Sequence, residues 1–308
     1  MSIKASVDIT ASSDRIRQTL IDFHTWPVWS PWLYIEPETA VSYRGEAGQA
    51  GHGFDWSGNK TGAGGMTLGK ITEHLIECDL QFMKPFKSQA DVAFELQPLS
   101  NSETRVSWLM NSKLPFFLFW MKNSMAGMIY SDYMRGLTLL KDYVELGGIG
   151  SQTTIGGIVH IDAIHYVGSR ATCAMSEVSS SMEDSYTELI GSASRGRFTV
   201  DGAPFCLYDN VDFKSRQFTY TAALPIDQKV SVNAPLIYAL RPACKALKVV
   251  HFGPYRHLGN AWSAIMAEAK AMNVKALKHQ PPFEVYLNDP DDVDEADLIT
   301  EIFLPLKD

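Results

Sequence analysis

The second half of the chain carries an internal repeat, and this repeat limits the fold more than any other feature of the sequence. Three short segments recur in the same order, which indicates a tandem duplication. The matching pairs are HYVGSR (165–170) with VHFGPYR (250–256), APFCLY (203–208) with PPFEVY (281–286), and FTYTAALPI (218–226) with LITEIFLPL (298–306). Each copy has the pattern of a strand, a glycine turn, a helix, a strand, an acidic loop and a strand.

The repeat predicts a tandem βαββ domain with pseudo-twofold symmetry. The helix that contains Trp262 needs a counterpart near residues 182–190, and we expect both helices on one face of one sheet. Ligands commonly bind in the cleft where such repeats meet. We therefore expect a binding site between the two copies.

A glycine-rich connector separates this domain from the first half of the chain. Residues 147–157 read GGIGSQTTIGG, with five glycines and no charge, which is typical of a flexible linker. The predicted organisation is a domain over 1–147, a linker over 148–157 and a second domain over 158–308. Two domains also fit the chain length of 308 residues.

The first half combines helical and strand-forming segments. Residues 3–9 alternate apolar and polar side chains as a half-buried strand does, and residues 41–110 are glycine-rich and strand-prone. A long segment at 122–146 places its apolar residues at helical spacing. These patterns predict an α+β domain in which a long final helix accompanies a curved antiparallel sheet.

Two motifs of the first half resemble the START-like, polyketide cyclase-like (SRPBCC) superfamily. They are WPVWSPW at 26–32 and DYMRGLTLLKDYVE at 132–145, and they occur in the element order of that superfamily. The resemblance covers about residues 1–147 and implies a helix-grip fold that encloses an apolar cavity. It implies no single activity, because this fold hosts lipid carriers, cyclases, hormone receptors and chaperone partners.

Three motifs of the second half closely resemble the GyrI-like family, the effector-binding domain of AraC-type transcription regulators. They are HFGPYRHLGNAW, PPFEVYLNDPDD and DLITEIFLPLKD, within about residues 158–308. The resemblance implies a small-molecule-binding domain, and some stand-alone members hydrolyse electrophilic small molecules. No segment has the pattern of a helix-turn-helix with a basic recognition helix, so direct binding of nucleic acid is not expected.

Two glutamates are the candidate charges of the predicted cleft. Glu284 shares one face of its strand with Tyr286, and Glu301 likewise shares a face with an aromatic residue. The first copy has Cys206 and Thr221 at the equivalent positions. Only the second copy therefore carries a charge at these two positions, as an asymmetric ligand site requires. The alternative is that both glutamates lie on solvated edges.

Aromatic residues are expected beside these glutamates, and the candidates are Tyr208, Tyr255, Trp262 and Tyr286. Tyr208 and Tyr286 are equivalent in the repeat and are predicted to form opposite walls. Trp262 could equally pack in the core, and Tyr255 could be only a lid at a turn. A buried carboxylate ringed by aromatic groups suits a cationic or hydrogen-bond-donating ligand. It could also act as a general base if burial raises its pKa.

Charge and composition disfavour several classes of function. The net charge of −8 argues against a polyanionic partner, and the longest apolar run, at 114–121, is too short to span a membrane. The histidines show no metal-ligand spacing and no cofactor motif is present, so neither a metal nor a cofactor is expected. Four scattered cysteines without an export signal favour reduced thiols and a cytoplasmic location.

Three classes of function stay open. The first is a sensor or carrier of small hydrophobic or cationic ligands, which regulates transcription or another partner in trans. The second is a hydrolase in which a pocket glutamate activates water against an electrophilic small molecule. The third is an interaction module whose cavities are vestigial. A protein partner or a homo-oligomer is compatible with each of them.

Overall fold

Each half of the chain builds one antiparallel sheet with helices packed on it. The structure is a computed structural model, and it describes residues 1–84, 86–112 and 122–307. The chain divides into two units, Met1–Gly150 and Ser151–Asp308. The predicted combination of helices with antiparallel sheets is confirmed. The apolar run at 114–121 lies outside the described residues.

The first unit contains a seven-stranded sheet. Its strands are β1 (Ser2–Ile9), β2 (Ala40–Arg44), β3 (Gly53–Ser57), β4 (Ala63–Ile71), β5 (Leu75–Lys84), β6 (Ser88–Ser100) and β7 (Glu103–Ser112). They lie in the order β1-β7-β6-β5-β4-β3-β2, so every neighbour except β1 with β7 is also the next strand in sequence. Short turns are sufficient to connect such a meander.

In the described residues of this unit, four α-helices accompany the sheet: α1 (Ser13–Ile21), α2 (Trp26–Trp29), α3 (Pro31–Ile35) and α4 (Lys122–Leu146). Ser12 caps α1 by accepting a hydrogen bond from the backbone N–H of Arg15. The WPVWSPW motif forms the one-turn helices α2 and α3, each with a proline in its first turn, where a missing N–H costs nothing. Helix α4 packs on β1 and on α2 and α3.

The described residues of the second unit form an eight-stranded sheet and two α-helices. The strands are β8 (Gln152–Ile161), β9 (Ile164–Ala174), β10 (Phe205–Asp212), β11 (Gln217–Ile226), β12 (Leu236–Arg241), β13 (Cys244–Phe252), β14 (Phe283–Tyr286) and β15 (Ile299–Pro305). The helices are α5 (Val178–Ser194) and α6 (Leu258–Ala271). The strand order is β12-β9-β11-β10-β14-β15-β13-β8.

This strand order has the predicted pseudo-twofold symmetry. The axis lies between β10 and β14, where Cys206 and Glu284 are cross-strand partners. Each copy exchanges one strand with the other, because β8 pairs with β13 and β12 pairs with β9. The predicted tandem duplication is therefore confirmed, and its two copies share one continuous sheet.

Both helices of the second unit pack on the same face of the sheet, as predicted. Leu189 of α5 belongs to a buried cluster with Cys206 and Ala222, and Ile265 of α6 belongs to one with Ile302. Cross-strand pairing places Ala222, Cys206, Glu284 and Ile302 on one face. The opposite face carries its own core, which includes Phe205, Phe283 and Phe303.

One part of the predicted repeat alignment is wrong. Ala223 and Phe303 occupy equivalent positions in the two repeats. Ala223 pairs with Gly168 and Phe303 pairs with Lys248, so Gly168 corresponds to Lys248 and not to Gly253. The two glycines have different roles. Gly168 lies inside β9, where a Cβ atom would stand 2.8 Å from Cγ2 of Thr221. Gly253 follows β13 in a turn with φ of +112°.

The connector is also shorter than the predicted linker, because β8 begins at Gln152. The second glycine pair of the motif lies inside this strand. Gly157 pairs with Lys248 and Ile155 pairs with Val249, so Gly156 is the extra residue of a bulge. Gly157 has φ of +75°, a conformation that bulges with glycine use.

Across the described ranges, no helix combines the length and apolar composition needed to cross a membrane.

Candidate functional site

Glu284 lies at the centre of the second unit, on the short strand β14 beside the pseudo-twofold axis. Strand alternation directs Glu284 and Tyr286 toward the helices and places Phe283 in the core of the opposite face. Only 1% of the Glu284 surface is exposed. A carboxylate in this position has lost its water and must find partners in the protein.

Three neutral groups supply these partners. The hydroxyls of Tyr208 and Tyr286 donate to Oε2 at 3.0 and 2.7 Å, and the indole Nε1 of Trp262 donates to Oε1. Burial raises the pKa of Glu284, and these three hydrogen bonds oppose the rise. Among the described residues, no lysine, arginine or histidine forms an ion pair with Glu284. The described part of the site therefore holds a desolvated acid with no positive counter-charge.

Aromatic rings surround this carboxyl group from both repeats. The Tyr208 and Trp262 rings meet edge to face at 5.0 Å, and the Tyr255 and Tyr286 rings meet at 5.6 Å. Tyr186 of α5 lies 6.0 Å from the Tyr286 ring. Burial raises the pKa of Tyr255 to about 12, with Asp289 and Glu284 contributing. The predicted residues Tyr208, Tyr255, Trp262, Glu284 and Tyr286 are thus brought together.

Tyr186 is a member of the site that the sequence analysis missed. Its hydroxyl donates to the carbonyl oxygen of Phe205 at 2.8 Å, which fixes its ring above β10. The repeat could have indicated Tyr186, because the predicted counterpart of the Trp262 helix spans this position. An aromatic residue on that helix is expected near a symmetric cleft.

Comparison with known proteins gives one family for this half of the chain. Residues 157–307 match the model of the GyrI-like small molecule binding domain. The second unit is a GyrI-like domain. It is therefore a small-molecule-binding domain, as the resemblance in the sequence implied. Among curated proteins, none matches the chain.

Several solved structures share general features with this chain at low similarity. An EcmrR–DNA complex is 20% identical with a TM-score of 0.42, over 62% of this chain and 69% of that one. SAV2435 bound to tetraphenylphosphonium is 15% identical with a TM-score of 0.40, over 50% and 94%. The Aha1 dimer from Colwellia psychrerythraea is 19% identical with a TM-score of 0.35, over 48% and 98%.

Glu301 does not join the site of the GyrI-like domain, and its predicted position is wrong. Glu301 pairs with Val285, whereas Glu284 pairs with Ile302, so the two glutamates face opposite sides of the sheet. Glu301 instead forms an ion pair with Lys248 at 2.5 Å. Each strand alternates as expected, but the register between β14 and β15 decides which residues share a face.

The first unit contains a separate cavity of about 130 Å³ that is partly open to solvent. Aromatic residues make up most of its wall, and those that contribute are Trp26, Trp32, Phe54, Trp56, Phe82, Trp108 and Tyr133. Trp29 of the same WPVWSPW motif is fully buried and packs against Trp26 at 4.5 Å. The Nε1 atom of Trp108 is buried with no hydrogen-bond partner in the described part of the chain. The cavity thus has apolar walls and one unsatisfied donor among its lining residues.

One group of side chains in the described residues has the composition of a metal site. Asp22, His24 and His52 each offer a ligand atom within 4.8 Å of the others. This group was not predicted from the sequence, where the histidines show no metal-ligand spacing, because His52 is distant in the chain from the other two residues. All four cysteines are free and none belongs to this group.

Proposed function

We propose that the GyrI-like domain binds small organic cations with apolar or aromatic bodies, as a ligand sensor or carrier. The observation that carries this proposal is the buried Glu284 carboxyl, held by three neutral donors without a positive partner in the described residues. A sensor of this kind signals to a separate partner molecule whether its ligand is bound. The four free thiols support a reducing, cytoplasmic location.

The electrostatics of the site favour a cation over a neutral ligand. Transfer of a carboxylate from water into an apolar site is costly, and a ligand cation offsets this cost when it binds. The rings of Tyr208, Trp262 and Tyr286 add cation–π attraction at the same place. We assign ligand contact to Tyr208, Tyr255, Trp262, Glu284 and Tyr286, with Tyr186 as an additional wall.

We further propose that the first unit is a START-like helix-grip domain with its own ligand cavity, and that the connecting segment leaves the two domains independent. The long helix α4, the seven-stranded sheet and the tryptophan-lined cavity support this assignment. A ligand for this cavity is apolar and about the size of one ring, because a cavity of ~150 Å³ accepts benzene.

Calorimetric titration of the full chain with two ions of equal size tests the first proposal. Tetraphenylphosphonium and tetraphenylborate have the same shape and opposite charge. We expect the cation to bind, the anion to bind at least tenfold more weakly, and Glu284→Gln to weaken the cation at least tenfold. Tenfold corresponds to about 1.4 kcal/mol.

Glu301→Gln is the matched control, because it removes a carboxylate on the opposite face of the same sheet. It should leave binding of the cation unchanged. Equal affinity of the wild type for both ions, or unchanged cation binding by Glu284→Gln, would refute the proposal.

A hydrolytic role is the second candidate, and the raised pKa of Glu284 is the observation that favours it. In that reaction the carboxylate takes a proton from water while the water oxygen attacks an electrophilic carbon of the ligand. The proton is then delivered to the leaving atom. Ring opening of an epoxide to a diol tests this role: turnover by the wild type that Glu284→Gln abolishes supports it. An inactive wild type rules out this reaction.

A further inference from the structure

We propose that Asp22, His24 and His52 of the first unit form a binding site for a divalent transition-metal ion. The site is separate from Glu284 and does not depend on the function proposed for the GyrI-like domain. Its ligand atoms come from two segments, the turn after α1 and the residue that precedes β3. All three atoms lie within 4.8 Å of one another.

His52 is held in the orientation that a metal ligand needs. Its Nδ1 lies 3.1 Å from the carbonyl oxygen of Arg44, an acceptor that requires Nδ1 to carry the proton. Metal-binding histidines usually donate their second ring nitrogen in this way. Nε2 then carries the lone pair, and among the described residues it accepts one hydrogen bond, a long one of 3.3 Å from the backbone N–H of Phe23, which a bound ion would replace. His52 is fully buried, so its ring is fixed.

Asp22 and His24 supply the other two ligands from neighbouring positions. Their Oδ1 and Nδ1 atoms are 2.8 Å apart in a hydrogen bond, and two ligands of one tetrahedral zinc ion lie about 3.3 Å apart, so a small movement would admit the ion. Both side chains are partly exposed, at 40% and 54%. The ring of His24 can therefore turn toward His52, and water can complete the coordination of the ion.

The donor set defines the class of metal. Two imidazole nitrogens and one carboxylate oxygen suit Zn²⁺, Ni²⁺ or Cu²⁺, whereas Mg²⁺ and Ca²⁺ prefer oxygen ligands. A bound ion would join the end of α1 to the β2–β3 hairpin. Phe23 lies between this site and the cavity, with its ring 5.1 Å from His52 and 5.0 Å from the cavity residue Phe54. The ion would thus stabilise one wall of the cavity.

Equilibrium dialysis of the full chain against ZnCl₂, with MgCl₂ as the contrasting ion, tests this site. We expect the wild type to bind one tightly held zinc ion and no magnesium. Asp22→Asn and His24→Ala should each weaken that zinc at least tenfold, because loss of even an outer-shell partner costs about 10–100-fold. Asparagine keeps the side-chain oxygen that accepts the His24 N–H, so Asp22→Asn preserves the turn.

His74→Ala is the matched control, because His74 is an exposed histidine of the same unit outside the cluster. Its zinc affinity should equal that of the wild type. The visible absorption of bound Co²⁺ gives a second readout and should change in the two cluster variants alone. The proposal is overturned if all three variants bind zinc as the wild type does, or if the wild type retains no zinc.

Discussion

Cys206 and Glu284 face each other across the central pair of strands, at the same position of the two repeats. Both side chains are buried on the helix side of the sheet. A symmetric pair of carboxylates here would repel each other in a desolvated site. Because the first repeat has a thiol at this position, the site contains a single acid. Burial raises the pKa of the Cys206 thiol well above its usual value. The site is thus asymmetric at its centre.

Removing one donor from Glu284 should destabilise the GyrI-like domain. Tyr286→Phe deletes a hydrogen bond of 2.7 Å to a buried carboxyl, and such a loss typically costs about 1–3 kcal/mol. Tyr186→Phe is the control, because its hydroxyl donates to a neutral backbone carbonyl and should cost about 0.5–1.5 kcal/mol. Urea unfolding of both variants measures the difference. Equal costs would contradict the charged character of the site.

The stability contributed by Glu284 should depend on pH in a defined direction. Its folded pKa is raised, so its favourable contribution is present below the unfolded pKa of about 4.3 and is lost as pH rises through the folded value. Glu284→Gln removes this titration. The stability of the variant relative to the wild type should therefore increase between pH 4 and pH 7, as measured by thermal unfolding. A constant difference would contradict the assigned pKa shift.

The pKa of Glu36 in the first unit is shifted in the opposite direction to that of Glu284. It is 1% exposed but accepts hydrogen bonds from the backbone N–H groups of Asn59, Lys60 and Thr61. Although burial alone would raise its pKa, these bonds lower it. Its contribution is present above the unfolded pKa and is lost as pH falls through the folded value. Glu36→Gln should cost about 1–3 kcal/mol at pH 7, and this cost should shrink in acid.

Helix α4 should not tolerate alanine at Gly136. A Cβ atom there would lie 2.7 Å from the Trp108 ring and 2.9 Å from Pro31, and overpacking of this kind costs about 1–3 kcal/mol. Gly191 of α5 is the matched control, because its nearest neighbour is the flexible end of Arg195 at 3.3 Å. Gly191→Ala should therefore stabilise its helix by up to about 1 kcal/mol. Chemical unfolding of each variant gives the sign directly.

The two units should separate by limited proteolysis at the connector. Gly147, Gly148 and Gly150 have no atom within 4 Å of an added Cβ, so this backbone is accessible. Cleavage is expected at 147–151 and not inside β8, with two fragments that stay folded by circular dichroism. A single protected core of full length would show that the units do not fold independently.

The sequence predicted the duplication and the surroundings of Glu284 because both depend on local patterns. Alternation in a strand fixes which side of it Glu284 occupies, and the repeat marks Tyr208 and Tyr286 as equivalent. The error at Glu301 arose between strands, since a register shift of one residue changes the face and no local pattern reports it. His52 was missed for a related reason: only the folded hairpin brings it to Asp22 and His24.

The exchange of strands between the repeats has a consequence for synthesis on the ribosome. Strand β15 is the last strand of its sheet to be made, yet it lies between β14 and β13 near the centre. Within the first repeat β9 already pairs with β11, whereas β8 has no partner strand until β13 has been made. The nascent GyrI-like domain can therefore form one half of its sheet first, while β8 stays without a partner strand. It must remain unfinished, with exposed strand edges, until β15 has left the exit tunnel.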